Sequence, residues 1–308
     1  MKVRLSFIVP FYGVESFIED CIRSLYAQDI PWDEYEVICI DDCSPDNSRA
    51  IVECLQKEYP TLCLLTTPNN LRQGGARNLA FNVAKGDYVW FVDSDDSIPS
   101  NVLNTLLSVV ENNALDILQF DYIRDNYKRK EVGHLGEIVN GEQYLFEDLL
   151  SDWSYKIAGP WRQIFKYDFL RKNNLNYIEG AMYEDTDYVL HAFLIAERVQ
   201  HISMIAYKYR INVESVTLSK VSPVKLAWRV NQFARCYNLI EITKSKIARD
   251  TIQKMVCDSL SNLRENVKKF SLKEKREYLY FLSNIDVCKT KVSWRTWLAI
   301  RYAITWFI

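Results

Sequence analysis

Two spacings of apolar side chains alternate along the first 120 residues. Short β-rich runs occupy Leu5–Pro10, Tyr35–Asp41, Leu62–Thr66, Tyr88–Val92 and Ile117–Tyr122. Between them apolar positions recur at helical spacing, as in Phe17, Cys21 and Leu25, or Ile51, Leu55 and Tyr59, with further helices predicted at Ala76–Ala84 and Val102–Val110. Strands that are apolar almost throughout, separated by amphipathic helices, predict an α/β fold. The sheet is expected to be mostly parallel and doubly wound, with helices on both faces. Sheets of this kind take ligands beyond the carboxyl ends of their strands, so the residues after each strand are the first place to look for chemistry.

From residue 123 to 180 the pattern weakens, and Lys128-Arg129-Lys130-Glu131 reads as an exposed hairpin or loop. Helical spacing returns at Asp185–Ala196, through Tyr188, Val189, Ala192 and Ile195, and a strand-like run follows at His201–Tyr209. Beyond Pro223, the stretches Val224–Ser245, Ile247–Phe270 and Leu272–Ser283 read as helices rich in Lys and Arg. A boundary is expected near Ser219–Pro223, dividing a body at 1–220 from a basic helical region at 221–308.

The strand ends carry an unusual set of residues. Pro10-Phe11-Tyr12 follows the first strand and Asp41-Asp42-Cys43-Ser44 the second, while Asn70 through Asn78, with Arg72, Gly74-Gly75 and Arg77, follows the third. After the fourth comes Asp93-Ser94-Asp95-Asp96. Two carboxylates one residue apart beyond a buried strand can present oxygens to a hard cation such as Mg²⁺ or Mn²⁺, which completes its shell with phosphate oxygens and water. The competing reading of Asp93-Ser94-Asp95 is an Asx-turn that caps the next helix. Asp41 and Asp42 suit a base N–H or a ribose hydroxyl, or simply cap a helix. Arg72 and Arg77 offer charge to phosphate or partners to the carboxylates, with backbone freedom expected at Gly74-Gly75. Glu184-Asp185 opens a helix, where carboxylates also favour the dipole by about 0.3–1 kcal/mol.

Taken together, these segments resemble the inverting glycosyltransferases of family 2, which have the GT-A fold. The resemblance runs through Phe7–Tyr12, Ile40–Ser44, Asn70 with Gly75-Ala76-Arg77-Asn78, Gly86–Asp96, Tyr183–Asp187, and Tyr207-Lys208-Tyr209-Arg210 with Ser215-Val216-Thr217. It implies a nucleotide-sugar donor, foremost a UDP-sugar, and a divalent metal (Mn²⁺ or Mg²⁺) held at Asp93 and Asp95. It also implies transfer with inversion to a glycan or lipid-linked acceptor, in the setting of bacterial surface polysaccharide or lipopolysaccharide. By the same resemblance Pro10, Phe11, Tyr12, Asp41, Asp42, Asn70, Arg72, Arg77, Ser94 and Arg210 line the donor site. Asp185, with Glu184 as second choice, is the catalytic base, since inversion needs one carboxylate to take the acceptor proton. Trp161 falls where an acceptor would stack, although core packing is an equal reading. The donor half is expected at about 1–120 and the acceptor half at about 121–220. Rival readings are a sugar nucleotidyltransferase and a non-catalytic nucleotide-sugar-binding scaffold. His134, His191 and His201 lack ligand spacing, and His191 reads as a packed helix residue.

Composition adds two points. The chain has 308 residues, 48% of them hydrophobic, and a net charge of -2. That total conceals -13 over residues 1–219 and +11 over 220–308. A basic end joined to an acidic body suggests an anionic partner. The last twenty residues, 289–308, mix Trp294, Trp297 and Trp306 with Lys and Arg, a composition suited to a membrane interface and too interrupted to span one. Peripheral attachment to the inner face of a cell membrane is therefore expected, with docking on the body or homodimer formation as the alternative. Nucleic acid is not an expected partner. The eight cysteines contain no Cys-x-x-Cys pair and read as buried thiols in a reducing cytoplasm.

Overall fold

The computed structural model describes residues 2–124, 127–129, 136–146, 159–211 and 220–284. The expected alternation is present: β1 (Leu5–Phe11), α1 (Ile18–Tyr26), β2 (Tyr35–Asp41), α2 (Ser48–Leu55), β3 (Leu62–Thr66), α3 (Arg72–Phe81), β4 (Tyr88–Phe91), α4 (Leu103–Asn112) and β5 (Ile117–Arg124). β1 pairs with β2 and β4, and β2 with β3, all in parallel. Side chains alternate across a strand, and β1 uses both sides. Phe7, Val9 and Phe11 meet α1, α2 and α4 in one cluster, while Ile8 enters a second with Ala76 and Ala80 of α3. A strand covered on both faces has to be apolar throughout, which is why these runs stood out.

After β5 come β6 (Tyr127–Arg129), β7 (Ile138–Val139), α5 (Gly141–Phe146), β8 (Gln163–Lys166), α6 (Tyr167–Lys172), α7 (Asp185–Ile195) and β9 (Val199–Tyr209). β6 pairs antiparallel with β5, as the basic hairpin predicted. The sheet order is β3-β2-β1-β4-β8-β5-β9-β7. β8 therefore separates β4 from β5 and runs antiparallel to both. The sequence pattern gives no sign of it, because Gln163-Ile164-Phe165-Lys166 is too short to display a period. β9 pairs in parallel with β5, so its end and those of β1 to β4 lie along one edge of the sheet.

The basic region forms α8 (Pro223–Asn238), α9 (Lys246–Lys268) and α10 (Leu272–Asn284). The single helix expected over 224–245 ends at Asn238, followed by a 3-10 turn at Leu239–Ile242. Ser222 and Ser245 cap α8 and α9 through their side chains, as Ser does at an N-terminus. Cys236, Ala248, Ile252 and Val256 share a core with Tyr188 and Phe193 of α7, so α8 and α9 are fixed to the body. Leu226, Val230 and Ala234 pack with Val267, Tyr278 and Leu282 in a separate cluster.

Among the described cysteines Cys21, Cys39 and Cys236 are buried free thiols, as expected, but Cys43, Cys54 and Cys257 are exposed. Cys43 stands in a loop, and the other two face away from their helices' packed sides. The segment 289–308, His134, Cys288 and Ser215-Val216-Thr217 lie outside the described residues.

Candidate active site

The expected site residues gather in two adjoining groups at the carboxyl edge of the sheet. The first stands at the ends of β1, β2 and β3. Asp42 donates its N–H to the Phe11 carbonyl (3.0 Å), and Asp41 accepts the Thr67 N–H through its own carbonyl (3.1 Å). Asp42 Oδ1 accepts from the Thr67 hydroxyl (2.7 Å) and the Leu71 N–H (2.8 Å), and its carbonyl from Asn70 Nδ2 (3.2 Å). Asp41 Oδ1 accepts from the Ser44 N–H at 2.8 Å. Both carboxylates are buried, held in the turn that carries Cys43 with φ +66°. Pro10 and Phe11 are buried in β1, whereas Tyr12 is 52% exposed just beyond it. Asn70 and Arg72 are exposed at the start of α3.

The second group centres on Arg77, in the second turn of α3 and only 1% exposed. Its Nη2 donates to Asp93 Oδ1 (2.9 Å) and Gln73 Oε1 (3.2 Å), its Nη1 to Glu184 Oε1 (2.9 Å). The guanidinium also lies 5.2 Å from the Tyr177 ring centre. One buried cation thus ties Asp93, in the loop after β4, to Glu184 at the N-cap position of α7. Arg77 is accordingly a partner of carboxylates, the second of the two roles its sequence position offered.

Gly74 and Gly75 make this approach feasible, and here the structure corrects the expectation. They do not form a flexible loop, because α3 begins at Arg72, four residues earlier than the spacing predicted. A β-carbon on Gly74 would stand 2.9 Å from Glu184 Cγ and 2.9 Å from the Ile178 carbonyl oxygen. On Gly75 it would meet Leu71 Cβ at 2.5 Å. The glycines serve close packing, which a pattern of residue types cannot distinguish from backbone freedom.

Asp96 completes the loop after β4. It is 1% exposed and accepts from the Tyr207 hydroxyl (2.8 Å) and the Arg210 N–H (2.7 Å). The same hydroxyl accepts from the Asp93 N–H at 3.1 Å. Ser94 is buried beside it, and Asp93 and Asp95 are partly exposed. Burial, with the charges of Asp93 and Asp95, pushes the Asp96 carboxyl up to about 8. Burial also raises Asp93 to about 6, against the lowering effect of Arg77 and with the help of Asp95 and Asp185. Glu184 rises to about 7 for the same leading reason. Glu184 is 6% exposed and committed to Arg77, whereas Asp185 is half-buried, with Oδ1 accepting from the Thr186 N–H (2.9 Å).

Arg210 and Trp161 occupy less direct places. The Arg210 guanidinium lies 5.1 Å over the Phe17 ring and reaches Asp20 at 3.4 Å. Trp161 is 7% exposed, stacked on Tyr207 (4.6 Å, 22°) and edge-on to Tyr122 (4.9 Å). It underlies Tyr207 as a core platform, the packing alternative that the sequence left open. Gly159, with φ +71°, turns the chain into this position, and a β-carbon there would lie 2.2 Å from Trp161 Nε1. His201 is buried against Asp121 (3.0 Å) and, among the described residues, belongs to no metal-ligand cluster.

Sequence reasoning missed Tyr207, Gln73, Tyr177, Asp187 and Arg235. Tyr207 stands in the Tyr207-Lys208-Tyr209-Arg210 segment, where residue type alone gives no sign of its hydrogen bonds to Asp93 and Asp96. Asp187 accepts from Arg235 Nη2 at 2.8 Å. Arg235 is buried on α8 one turn after Asn231, off the stripe of Ala227, Val230 and Ala234, and the spacing of its neighbours does not single it out.

The profile described as glycosyl transferase family 2 matches residues 6–177. The chain belongs to glycosyl transferase family 2. Its family relatives include the poly(ribitol-phosphate) beta-glucosyltransferase of Bacillus spizizenii, 29% identical over 230 residues, which are 70% of this chain and 34% of that protein. TarS of Staphylococcus aureus, a poly(ribitol-phosphate) beta-N-acetylglucosaminyltransferase, is 30% identical over 72% of this chain and 38% of its own length. The chain thus spans about a third of each of these two relatives. The crystal structure of TarS 1–349 in complex with UDP-GlcNAc matches with a TM-score of 0.72 at 24% identity, over 98% of this chain and 87% of that one. A more distant match, with a TM-score of 0.58 and 15% identity over 100% of this chain and 88% of that one, is the mannosyltransferase PcManGT of Pyrobaculum calidifontis in complex with GDP-Man and Mn²⁺. The family 2 chain has the GT-A fold with a helical C-terminal region, as its sequence implied.

Proposed function

We propose that the chain is a metal-dependent, inverting glycosyltransferase that moves a sugar from a nucleotide-sugar donor, foremost a UDP-sugar, to a glycan or lipid-linked acceptor. The observation that carries this reading is the Arg77 bridge, which ties the Asp93-Ser94-Asp95 loop and the Glu184-Asp185 turn to one buried guanidinium, 2.9 Å from Asp93 and 2.9 Å from Glu184. The printed names of the relatives support the reaction class, and the UDP-GlcNAc bound to TarS supports the donor class. Bacterial surface polysaccharide is the setting those names suggest.

The donor would lie along residues 1–120. Asp41 or Asp42 would face the base, and Pro10 to Tyr12, Asn70, Arg72 and Ser94 would line the nucleotide. Arg210 would approach the diphosphate. The acceptor would enter over 121–220, above Trp161. Asp185 is assigned as the base that takes the acceptor hydroxyl's proton, while Glu184, committed to Arg77, holds the turn in place.

The donor set fits a divalent cation at Asp93 and Asp95. Their oxygens are hard ligands, and the charges of Asp93, Glu184 and Asp185 all act on the single Arg77 guanidinium. The Asp93 carboxyl is raised to about 6 first by burial, with the charges of Asp95 and Asp185 adding to it against Arg77. Among the described residues no three His, Cys, Asp or Glu side chains form a complete ion site, so phosphate oxygens and water would supply the other ligands. When bound, the ion supplies positive charge to the departing diphosphate. PcManGT binds Mn²⁺ with its donor, which supports this part of the reading.

Peripheral attachment at the inner face of the cell membrane belongs to the same proposal. Leu272 (79% exposed) and Tyr280 (64%) share the outer face of α10 with Arg276 and lend it support. Among the described residues no helix is long and apolar enough to cross a membrane.

Calorimetry with UDP and GDP, with and without Mn²⁺, tests the core of the reading. Mn²⁺ is expected to tighten nucleoside diphosphate binding, and Asp95→Ala to abolish that gain. Asp185→Asn should bind UDP normally and lose turnover. Failure of both nucleotides to bind with metal present overturns the proposal. Pyrophosphate release from a nucleoside triphosphate would mark a nucleotidyltransferase instead.

A further inference from the structure

We infer that Arg235 of α8 is a positioning residue for the Glu184-Asp185 pair, so that the basic helical region forms part of the catalytic unit. This rests on the assignment of Asp185 as base. The pair follows Tyr183, which holds φ +60° without being glycine. An L-residue in the left-handed region is strained by about 1–2 kcal/mol and stays there only when its surroundings dictate the conformation. Those surroundings come from α8. Arg235 Nη2 donates to the Tyr183 carbonyl (2.9 Å) and to Asp187 Oδ1 (2.8 Å). One nitrogen thereby fixes the residue before the pair and a residue just after it.

The anchor itself is immobilised. Arg235 is 4% exposed and donates from Nη1 to Asn231 Oδ1, one turn earlier on α8. Arg229, two turns before Arg235 on a neighbouring face, places its guanidinium 3.6 Å from the centre of the Tyr183 ring. It is steadied by Gln232 (3.0 Å). From the opposite side Arg77 holds Glu184. Asp185 is therefore set between a clamp from α3 and a clamp from α8. A reacting group needs to be held within about 0.5 Å of its productive position, and a displacement of about 1 Å costs roughly 100-fold in rate. The family profile ends at residue 177, so both clamp and base lie beyond the matched part of the chain.

The full chain and its variants would be compared by Mn²⁺-dependent UDP binding and by UDP release from UDP-GlcNAc and UDP-glucose, with turnover expressed per nucleotide-binding site. Arg235→Gln is expected to bind UDP like the wild type, keep the donor KM, and lose about 30- to 100-fold in kcat. Arg235→Lys should restore part of that loss. A purely stabilising ion pair would lower the melting temperature and leave kcat per site unchanged, and a kcat within threefold of wild type in Arg235→Gln overturns the inference. Should Arg235→Gln fail to fold, the near-isosteric Asp187→Asn keeps an acceptor for Arg235 and decides the matter. A kcat about tenfold lower is expected, and an unchanged kcat refutes the clamp. Asp185→Asn separates the two levels. If it retains turnover, or if the wild type turns over neither donor, the base assignment fails and the inference with it. If it is inactive while Arg235→Gln is not, only the inference fails.

Discussion

Replacing Arg77 with methionine would remove the guanidinium that joins Asp93 to Glu184 while keeping a long side chain. Two ion pairs of 2.9 Å are lost at once, with the contact to Tyr177. Removing one partner of a buried pair costs roughly 3–5 kcal/mol, because the remaining charge is left where water cannot reach it. The carboxyls can escape that cost by taking up protons. Glu184 already stands at about 7 against its ordinary 4.5, since burial, reinforced by Asp185, outweighs the lowering by Arg77. A raised carboxyl contributes stability that is complete below its unfolded pKa and lost as pH rises through the folded one. From 4.5 to about 7 that loss is roughly 3 kcal/mol in the wild type. Without Arg77 the folded pKa moves higher, and the loss continues past pH 7. The stability difference between wild type and Arg77→Met is therefore expected to grow as pH rises past 7, by about 1 kcal/mol from Glu184 between pH 7 and pH 8. Urea unfolding followed by tryptophan fluorescence at several pH values measures it. A difference that is constant with pH, or shrinks as pH rises, refutes the assignment of Glu184 as a carboxylate held by Arg77.

Gly74→Ala would stabilise an ordinary helix by up to about 1 kcal/mol. Here the new methyl meets Glu184 and the Ile178 carbonyl at 2.9 Å, so thermal unfolding should show a loss of roughly 1–3 kcal/mol; a gain would refute the close approach. Alkylation mapped by mass spectrometry should label Cys43, Cys54 and Cys257 in the native protein, and Cys21, Cys39 and Cys236 only after unfolding. Native labelling of Cys39 would contradict its burial. Deletion of 289–308 should move the protein from the membrane fraction to the soluble one, and an unchanged distribution removes the case for that segment as an anchor.

The elements of the first 120 residues were legible because each strand there is covered on both faces and each helix on one, which writes two clear periods into the chain. β8 was not, since its four residues lie between β4 and β5, two strands that both come far earlier in the chain. The carboxylates of the site announced themselves by standing at strand ends. Arg235 did not: α8 carries other basic residues, and only packing against α7 shows which of them is inside. Gly74-Gly75 read as a hinge for the same reason, because the contact that requires a missing side chain belongs to Glu184, 110 residues away. Trp161 read equally as a stacking ring or as core, and its stacking on Tyr207 is a contact between segments far apart in the chain that spacing does not display.

The insertion of β8 between β4 and β5 has a kinetic consequence. When residues 1–124 have left the ribosome, β1 to β4 can associate, yet β5 has no strand to join them through. The edge of β4 stays unpaired until residue 166 has emerged, and β5, joined early only by β6 at its carboxyl end, meets β9 only at residue 199 and beyond. Pairings this distant in sequence close slowly and leave an open strand edge exposed in the interval. Refolding should therefore pass through a species with β3-β2-β1-β4 formed and the rest of the sheet unprotected from hydrogen exchange. The order in which the strands are made is not the order in which they come to lie.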